Sequence, residues 1–188
     1  MRAVVTLVVV AACGLLAAPP VGAEPFLYQF TGSGAGTLAG APFPLQGFRI
    51  RLLADTDDVT VDGQLRLLPV YAADFALDVS GAGNIATPVF TNVNQEFGSV
   101  VFATATQAIL FFYDSAFGSY ELDTPLGPIE SETVGLQEIP LATSAGTLVF
   151  TAVPSLAFEA PEPAALAAGA AALGTLTARS LRRRSRDA

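Results

Sequence analysis

The 188-residue chain contains no histidine, no tryptophan and no lysine, and its single cysteine is Cys13. Without histidine it cannot form a Ser-His-Asp or Cys-His catalytic group, a histidine-based zinc site or a histidine-ligated haem. With one cysteine it cannot form an intramolecular disulfide. The glycine-rich loops of the common nucleotide-binding motifs are missing as well. These absences exclude the most frequent nucleophilic, thiol, zinc and nucleotide chemistries.

The N-terminal segment has the composition of a secretory signal peptide. After a single arginine, residues 3–18 are apolar, and Val21-Gly22-Ala23 offers small residues at the cleavage positions. We therefore predict that residues 1–23 are removed by signal peptidase and that the mature chain begins at Glu24. The alternative is a lipoprotein acylated on Cys13, although its apolar stretch would span only about eight residues, near the lower limit for such signals.

The region from Glu24 to Ala160 is strongly acidic. It contains three arginines and fifteen carboxylates, which gives a net charge of −12. Such a charge disfavours binding to nucleic acid or to an anionic membrane, so we expect no nucleic-acid partner. The length suits one domain that buries about two-thirds of its unfolded surface. Because no disulfide can form and no cofactor motif is present, we predict that packing alone stabilises this domain, without a cofactor.

Apolar residues recur with a period of two along this region, which predicts β-strands. The alternation is seen in Phe26-Tyr28-Phe30, Phe48-Ile50-Leu52 and Phe75-Leu77-Val79, and three later runs are rich in strand formers and could be more deeply buried: Ser99–Ala105, Ala108–Tyr113 and Thr147–Val153. Glycine, proline, asparagine and aspartate predict turns at residues 32–34, 41–44, 62–63, 81–84, 124–128 and 144–146. We predict an all-β fold over residues 24–156, an antiparallel two-sheet β-sandwich that is Ig-like or jelly-roll-like.

The C-terminal end changes character after Pro154. Residues 157–163 lose the alternation, and we predict a linker there. Residues 164–178 carry no charge and consist mainly of good helix formers. We predict a transmembrane helix over residues 164–181. Its uncharged part, the fifteen residues 164–178, would be only about 22 Å long, shorter than the roughly 30 Å hydrocarbon core, so the predicted span is extended to Leu181. A C-terminal surface helix is the alternative, but the run lacks apolar and polar residues at helical spacing.

A cluster of arginines follows the apolar run. We predict that residues 182–188 form a basic cytoplasmic tail, because positive charge flanking a membrane helix favours the cytoplasmic side. The arginines that would orient the helix are Arg179, Arg182, Arg183, Arg184 and Arg186.

The triplet Pro161-Glu162-Pro163, the apolar run and the arginine cluster resemble, in that order, the PEP-CTERM sorting signal. The resemblance implies a protein exported by a Gram-negative bacterium and cleaved at or near the triplet by exosortase, a membrane protease-transpeptidase. It further implies a transient inner-membrane anchor, then delivery to the cell surface or extracellular matrix in association with exopolysaccharide or biofilm. It implies no enzymatic activity. We therefore expect a non-catalytic surface or matrix protein, with an extracellular polysaccharide- or calcium-binding module as the alternative.

Four carboxylates between two predicted strands are weak calcium candidates: Asp55, Asp57, Asp58 and Asp62. Oxygen ligands in a flexible loop suit calcium, but this spacing does not follow the twelve-residue calcium loop. We expect a solvated acidic loop here and keep calcium binding as the alternative.

A second acidic group surrounds a Pro/Gly turn and consists of Glu121, Asp123, Glu130 and Glu132. Two such carboxylates could act as acid and base in glycoside hydrolysis. We expect instead a polar strand face with Glu130 and Glu132 toward solvent. Tyrosines could also stack on sugars, and the candidates are Tyr28, Tyr71, Tyr113 and Tyr120. Half-buried tyrosines without a ligand are the simpler expectation.

Overall fold

The computed structural model of the protein describes residues 25–161. The predicted signal peptide (1–23), membrane helix (164–181) and basic tail (182–188) lie outside the described residues, as do Glu162, Pro163 and all five arginines of the cluster. Among residues 25–161 there is no helix that is long and apolar enough to cross a membrane.

The described part of the chain consists mainly of β-strands. The strands are β1 (Pro25–Leu38), β2 (Ala41–Asp55), β3 (Thr60–Asp62), β4 (Leu65–Pro69), β5 (Ala72–Leu77), β6 (Gly81–Asn84), β7 (Val89–Asn94), β8 (Ser99–Thr104), β9 (Ala108–Tyr113), β10 (Leu126–Ser131), β11 (Gly135–Leu136), β12 (Leu141–Thr143) and β13 (Gly146–Ala160). Two short 3-10 helices, Thr56–Asp58 and Ser115–Ser119, interrupt them.

The strands form two antiparallel sheets. In the first sheet the order is β10-β13-β1-β2-β5-β6, and β12 pairs with the early part of β13. In the second sheet the order is β11-β9-β8-β7-β4-β3. The apolar sides of the sheets face each other, and the rings of Phe30 and Phe102 lie 5.9 Å apart between them. The predicted all-β fold with two antiparallel sheets is therefore confirmed.

The long hairpin of β1 and β2 illustrates how the sequence determines this core. Phe26, Tyr28 and Phe30 point inward and are buried, as the period-two pattern predicts. The hairpin closes through Ala39 and Gly40, whose φ angles are +52° and +80°. Two central residues with positive φ are the geometry that matches the twist of a two-residue β-hairpin. Because glycine tolerates this conformation, Gly40 favours the turn at this position.

The predicted linker is wrong over residues 157–160, because β13 continues to Ala160. Phe158 and Ala160 are fully buried, and Ala160 pairs with Leu126 of β10. Pro154, which suggested the end of the domain, lies where the pairing of β1 with β13 changes register. Proline is tolerated at such irregularities because a ladder hydrogen bond is already lost there. The domain therefore extends four residues beyond the predicted boundary at residue 156.

Several predicted turns are also strand segments. Residues 32–34 lie inside β1, residues 41–44 begin β2, and residues 81–84 form β6. A Cβ atom on Gly32 would lie 2.2 Å from the carbonyl oxygen of Ser155, so glycine there permits close backbone approach between strands. The turns at residues 62–63 and 144–146 are confirmed, since they connect β3 to β4 and β12 to β13.

Candidate functional site

The chain enters and leaves the described domain at the same end of the first sheet. β1 and β13 are antiparallel neighbours, with Gln29 opposite Glu159. At this end Pro25 pairs with Asp55 of β2, and Ala160 pairs with Leu126. The predicted mature N-terminus and the predicted sorting triplet are consequently adjacent to the same edge of the fold.

Pro161 is the only residue of the predicted triplet among the described residues, and it is half-buried. It directly follows Ala160, which is fully buried and hydrogen-bonded within the sheet. Residues 161–163 span at most about 10 Å when fully extended.

The four calcium candidates lie close in sequence but do not form a metal cluster. Asp55 caps the first 3-10 helix, because its Oδ1 accepts a hydrogen bond of 2.9 Å from the backbone N–H of Asp57. Asp57 and Asp58 are exposed in that helix, whereas Asp62 lies in β3 of the other sheet. Within residues 25–161 no three carboxylate, cysteine or histidine side chains converge as metal ligands. Asp55, Asp57 and Asp58 therefore form a capped turn in which Asp57 and Asp58 are exposed.

Glu121 forms an ion pair with Arg66. The Arg66 Nε and Nη2 groups donate hydrogen bonds to the Glu121 carboxylate, and Gln95 Nε2 donates another, 3.1 Å long. The Arg66 hydrogen bonds, followed by that of Gln95, lower the pKa of Glu121 to about 2. Because a general acid in glycoside hydrolysis needs a raised pKa, this carboxyl group is unsuited to that role.

Glu130 lies in β10 of the first sheet, and Glu132 directly follows that strand. They line an open groove of about 500 Å³ together with hydroxyl groups of β1 and β13, including those of Ser33 and Ser155. Both glutamates are exposed, as the sequence pattern predicts.

Two of the predicted tyrosine platforms are buried instead. Tyr28 donates a hydrogen bond from its hydroxyl to the carbonyl oxygen of Leu122, and Tyr120 donates one of 2.9 Å to that of Thr124. Burial raises the pKa of both phenols; to a lesser degree Asp123 raises that of Tyr28, and Tyr28 followed by Asp123 raise that of Tyr120. These tyrosines therefore fix the segment from residue 120 to residue 124, which includes the fully buried Leu122 at a φ of +63°. They are not available for stacking on a ligand.

The other two tyrosines, Tyr71 and Tyr113, are 60% and 57% exposed. Tyr113 ends β9 and lies against the ring of Phe111, with the ring centres 6.0 Å apart. Phe111 alternates with the buried Leu110 and Phe112, so it faces outward from the second sheet. The sequence pattern does not distinguish Phe111, because β9 is apolar on both sides and could equally be a more deeply buried strand.

A groove on the outer side of the second sheet was likewise not predicted. Its volume is about 390 Å³, and its floor and rim come from Leu67, Phe90, Asn92, Val101, Ala103 and the turn at residues 104–107. We call this surface the outer groove. The signal that could have revealed it is the absence of charge from residues 89–94 and 99–113, in a domain that otherwise carries many carboxylates.

The described residues thus form an acidic, all-β domain of two sheets. The start of β1 and the end of β13 lie at the same end of the first sheet, and the outer groove carries no charge. Comparisons of the chain with protein-family models, with curated proteins and with solved structures found no match.

Proposed function

We propose that this chain is a non-catalytic, exported surface or extracellular-matrix protein of a Gram-negative bacterium. Signal peptidase removes residues 1–23, and exosortase processes the C-terminal PEP-CTERM signal. A transient inner-membrane anchor over residues 164–181 precedes delivery to the cell surface or matrix, where the protein associates with exopolysaccharide or biofilm. The Ig-like or jelly-roll-like topology and the membrane helix stay predictions within this proposal.

The observation that carries the proposal is the order of elements at the end of the chain. The triplet Pro161-Glu162-Pro163, the uncharged run and the arginine cluster follow one another directly. The basic end would stay cytoplasmic by the positive-inside rule, and the prolines would end the helix at the outer interface. Exosortase would then meet the triplet in an extended conformation next to the membrane.

The fold limits the distance between the tethered domain and the membrane. Since Ala160 is buried in β13 and only residues 161–163 separate it from the proposed membrane helix, the tethered domain would sit within about 10 Å of the membrane. The acidic turn at Asp55, Asp57 and Asp58 lies at this same end. Repulsion between these carboxylates and anionic lipid would favour release of the domain once the tether is cut.

The carboxylates of the domain support a non-catalytic role. Glu121 has a lowered pKa and is paired with Arg66, whereas Glu130 and Glu132 are exposed in a different place. A glycosidase needs one protonated and one ionised carboxyl group across a single bond. Glu121, whose carboxylate is paired with Arg66, is therefore unsuited to be the protonated member of such a pair.

The proposal is tested by substitution of Glu162 with Ala in a host that carries exosortase. We expect export to continue and a precursor with its intact tail to accumulate in the inner membrane. Glu138→Ala is the matched control, because Glu138 is an exposed glutamate within the domain. Deletion of residues 179–188 should instead let the apolar segment appear outside the cell uncut. If both the Glu162 variant and the deletion were processed like wild type, the proposal would be wrong.

A polysaccharide-binding module is the second candidate function. It is favoured by the outer groove, which combines aromatic and amide side chains without charge. The calcium-binding form of this alternative has less support, because Asp55 is used as a helix cap and Asp62 lies on the other sheet.

A further inference from the structure

The two outer surfaces of the domain differ sharply in charge. The first sheet presents Arg49, the ion pair of Arg51 with Asp74, and Glu159 hydrogen-bonded to Gln29. Three adjacent strands of the second sheet, β7, β8 and β9, contain no charged residue, and the charged residues of this sheet, Arg66 and Asp62, lie in β4 and β3 beside them. This difference is notable because residues 25–161 contain fourteen carboxylates and only three arginines. An uncharged surface in such an acidic domain suits a partner that carries no charge.

Strand register brings the outward side chains of the second sheet into rows. Asn92 pairs with Val101 on one side and with Leu67 on the other, and Val101 pairs with Phe111. Phe90 and Ala103 form the next row, beside the turn at residues 104–107. The result is an open, mainly apolar floor crossed by one amide side chain.

Phe111 provides a flat aromatic surface at one end of these rows. It pairs with Gly135 of β11, and a Cβ atom on Gly135 would lie only 2.0 Å from the Phe111 Cζ. The ring therefore lies across the glycine rather than standing upright on the sheet. A side chain other than hydrogen at residue 135 would displace the ring, which gives this glycine a specific role.

The rim of the outer groove is polar but neutral. The turn carries Thr104, Thr106 and Gln107, and the last two are exposed. The Thr104 hydroxyl and the backbone of Gln107 hydrogen-bond to each other, which orders the turn and leaves the Gln107 side chain at the edge of the groove. Amide and hydroxyl groups can both donate and accept hydrogen bonds at this rim.

We propose that the outer groove, extended by Phe111 and Tyr113, binds a neutral polysaccharide. A pyranose ring has an apolar C–H face and a rim of hydroxyl groups, which match an aromatic and aliphatic floor edged by amides and hydroxyls. Uronic acids, sulfated sugars and nucleic acids would find no cation on this face and would be repelled by the acidic domain. The inference rests on the proposed association with exopolysaccharide and adds its binding face and the charge class of its ligand.

The full chain, in a mild non-ionic detergent, tests this inference by electrophoresis through native gels that contain a dissolved polysaccharide. Neutral glucans and galactomannans should retard the protein, whereas alginate and polygalacturonate should not. Phe111→Ala should lower the apparent affinity, derived from retardation at several polysaccharide concentrations, about tenfold. This is the effect of losing one aromatic contact of roughly 1.4 kcal/mol. Gln107→Ala, in an exposed turn, should weaken it without affecting the fold. Tyr71→Ala is the control, since Tyr71 is an exposed aromatic residue outside the groove.

Several outcomes would overturn the inference. They are absence of binding to every neutral polysaccharide, equal binding to the acidic ones, or equal losses for the Phe111 and Tyr71 variants. Self-association that Phe111→Ala abolishes, without any polysaccharide binding, would assign the face to a second copy of the chain. Processing of the Phe111 variant by exosortase should be normal. A failure of this inference and a failure of the sorting proposal are therefore separately visible.

Discussion

Replacing Phe158 with Ala tests whether residues 157–160 belong to the folded domain. The Phe158 ring is fully buried, and its centre lies 5.1 Å from that of Phe30, 5.7 Å from that of Phe117 and 6.2 Å from that of Tyr120. Truncation of a core phenylalanine leaves a cavity and costs about 3–5 kcal/mol. We expect the upper part of this range, because Phe158 joins the first sheet to the second 3-10 helix and to the Tyr120 segment.

The free energy of unfolding is measured on a fragment of residues 24–161, which is denatured with urea while circular dichroism monitors the loss of structure. Phe97→Ala is the matched control, because Phe97 is 63% exposed in a hairpin turn and its loss should cost less than about 0.5 kcal/mol. A cost below about 1 kcal/mol for the Phe158 variant would refute the assignment of residues 157–160 to β13. It would restore the linker that the sequence pattern predicts.

Three further predictions follow from the contacts of buried and charged groups. Tyr28→Phe should lower the free energy of unfolding by about 1–3 kcal/mol in urea denaturation, because the buried carbonyl of Leu122 loses its donor. Millimolar calcium should change the melting temperature little; a rise of about 10 °C would instead make the acidic turn at residues 55–62 a metal site. The pKa of Glu121 is lowered in the folded state, so its pairing with Arg66 should stabilise the domain fully above the ordinary value of 4.5. This stabilisation should be lost as the pH falls toward 2 and should be absent in Glu121→Gln, as measured by melting temperature against pH.

The period-two pattern was sufficient to predict the sheet class and much of the core. Phe26, Tyr28 and Phe30 alternate with their neighbours because one side of β1 faces the other sheet. Val79 was expected to continue such a pattern, but it is 83% exposed in the turn after β5. A local pattern identifies which side of a strand is apolar, but the strand's end depends on pairing partners distant in sequence.

Glycine and proline residues suggest a turn at residues 32–34 and a linker after Pro154, and both predictions are wrong because tertiary contacts determine the role of these residues. Gly32 lies within β1 because the β13 backbone approaches it closely, and Pro154 lies at an irregularity within β13. Neither close approach nor an irregular register is visible in a single strand's sequence. The predicted turn and linker at these residues therefore became strand.

The candidate site was less predictable than the fold. Four tyrosines look alike in sequence, yet Tyr28 and Tyr120 are buried hydrogen-bond donors whereas Tyr71 and Tyr113 are exposed. Phe111 was missed because β9 is apolar on both sides, which is also the pattern of a fully buried strand. Only the arrangement of neighbouring strands distinguishes an outward groove from a second core.

The most direct test of the proposed function is the intact mass of the mature protein recovered from an exosortase-carrying host. The account predicts a polypeptide that begins at Glu24 and has lost its C-terminal tail at or near Pro161-Glu162-Pro163. The matched sample from a host without exosortase should begin at Glu24 and retain residues 164–188. A mature protein that ends at Ala188 in both hosts, or one that begins with a diacylated Cys13, would contradict the account.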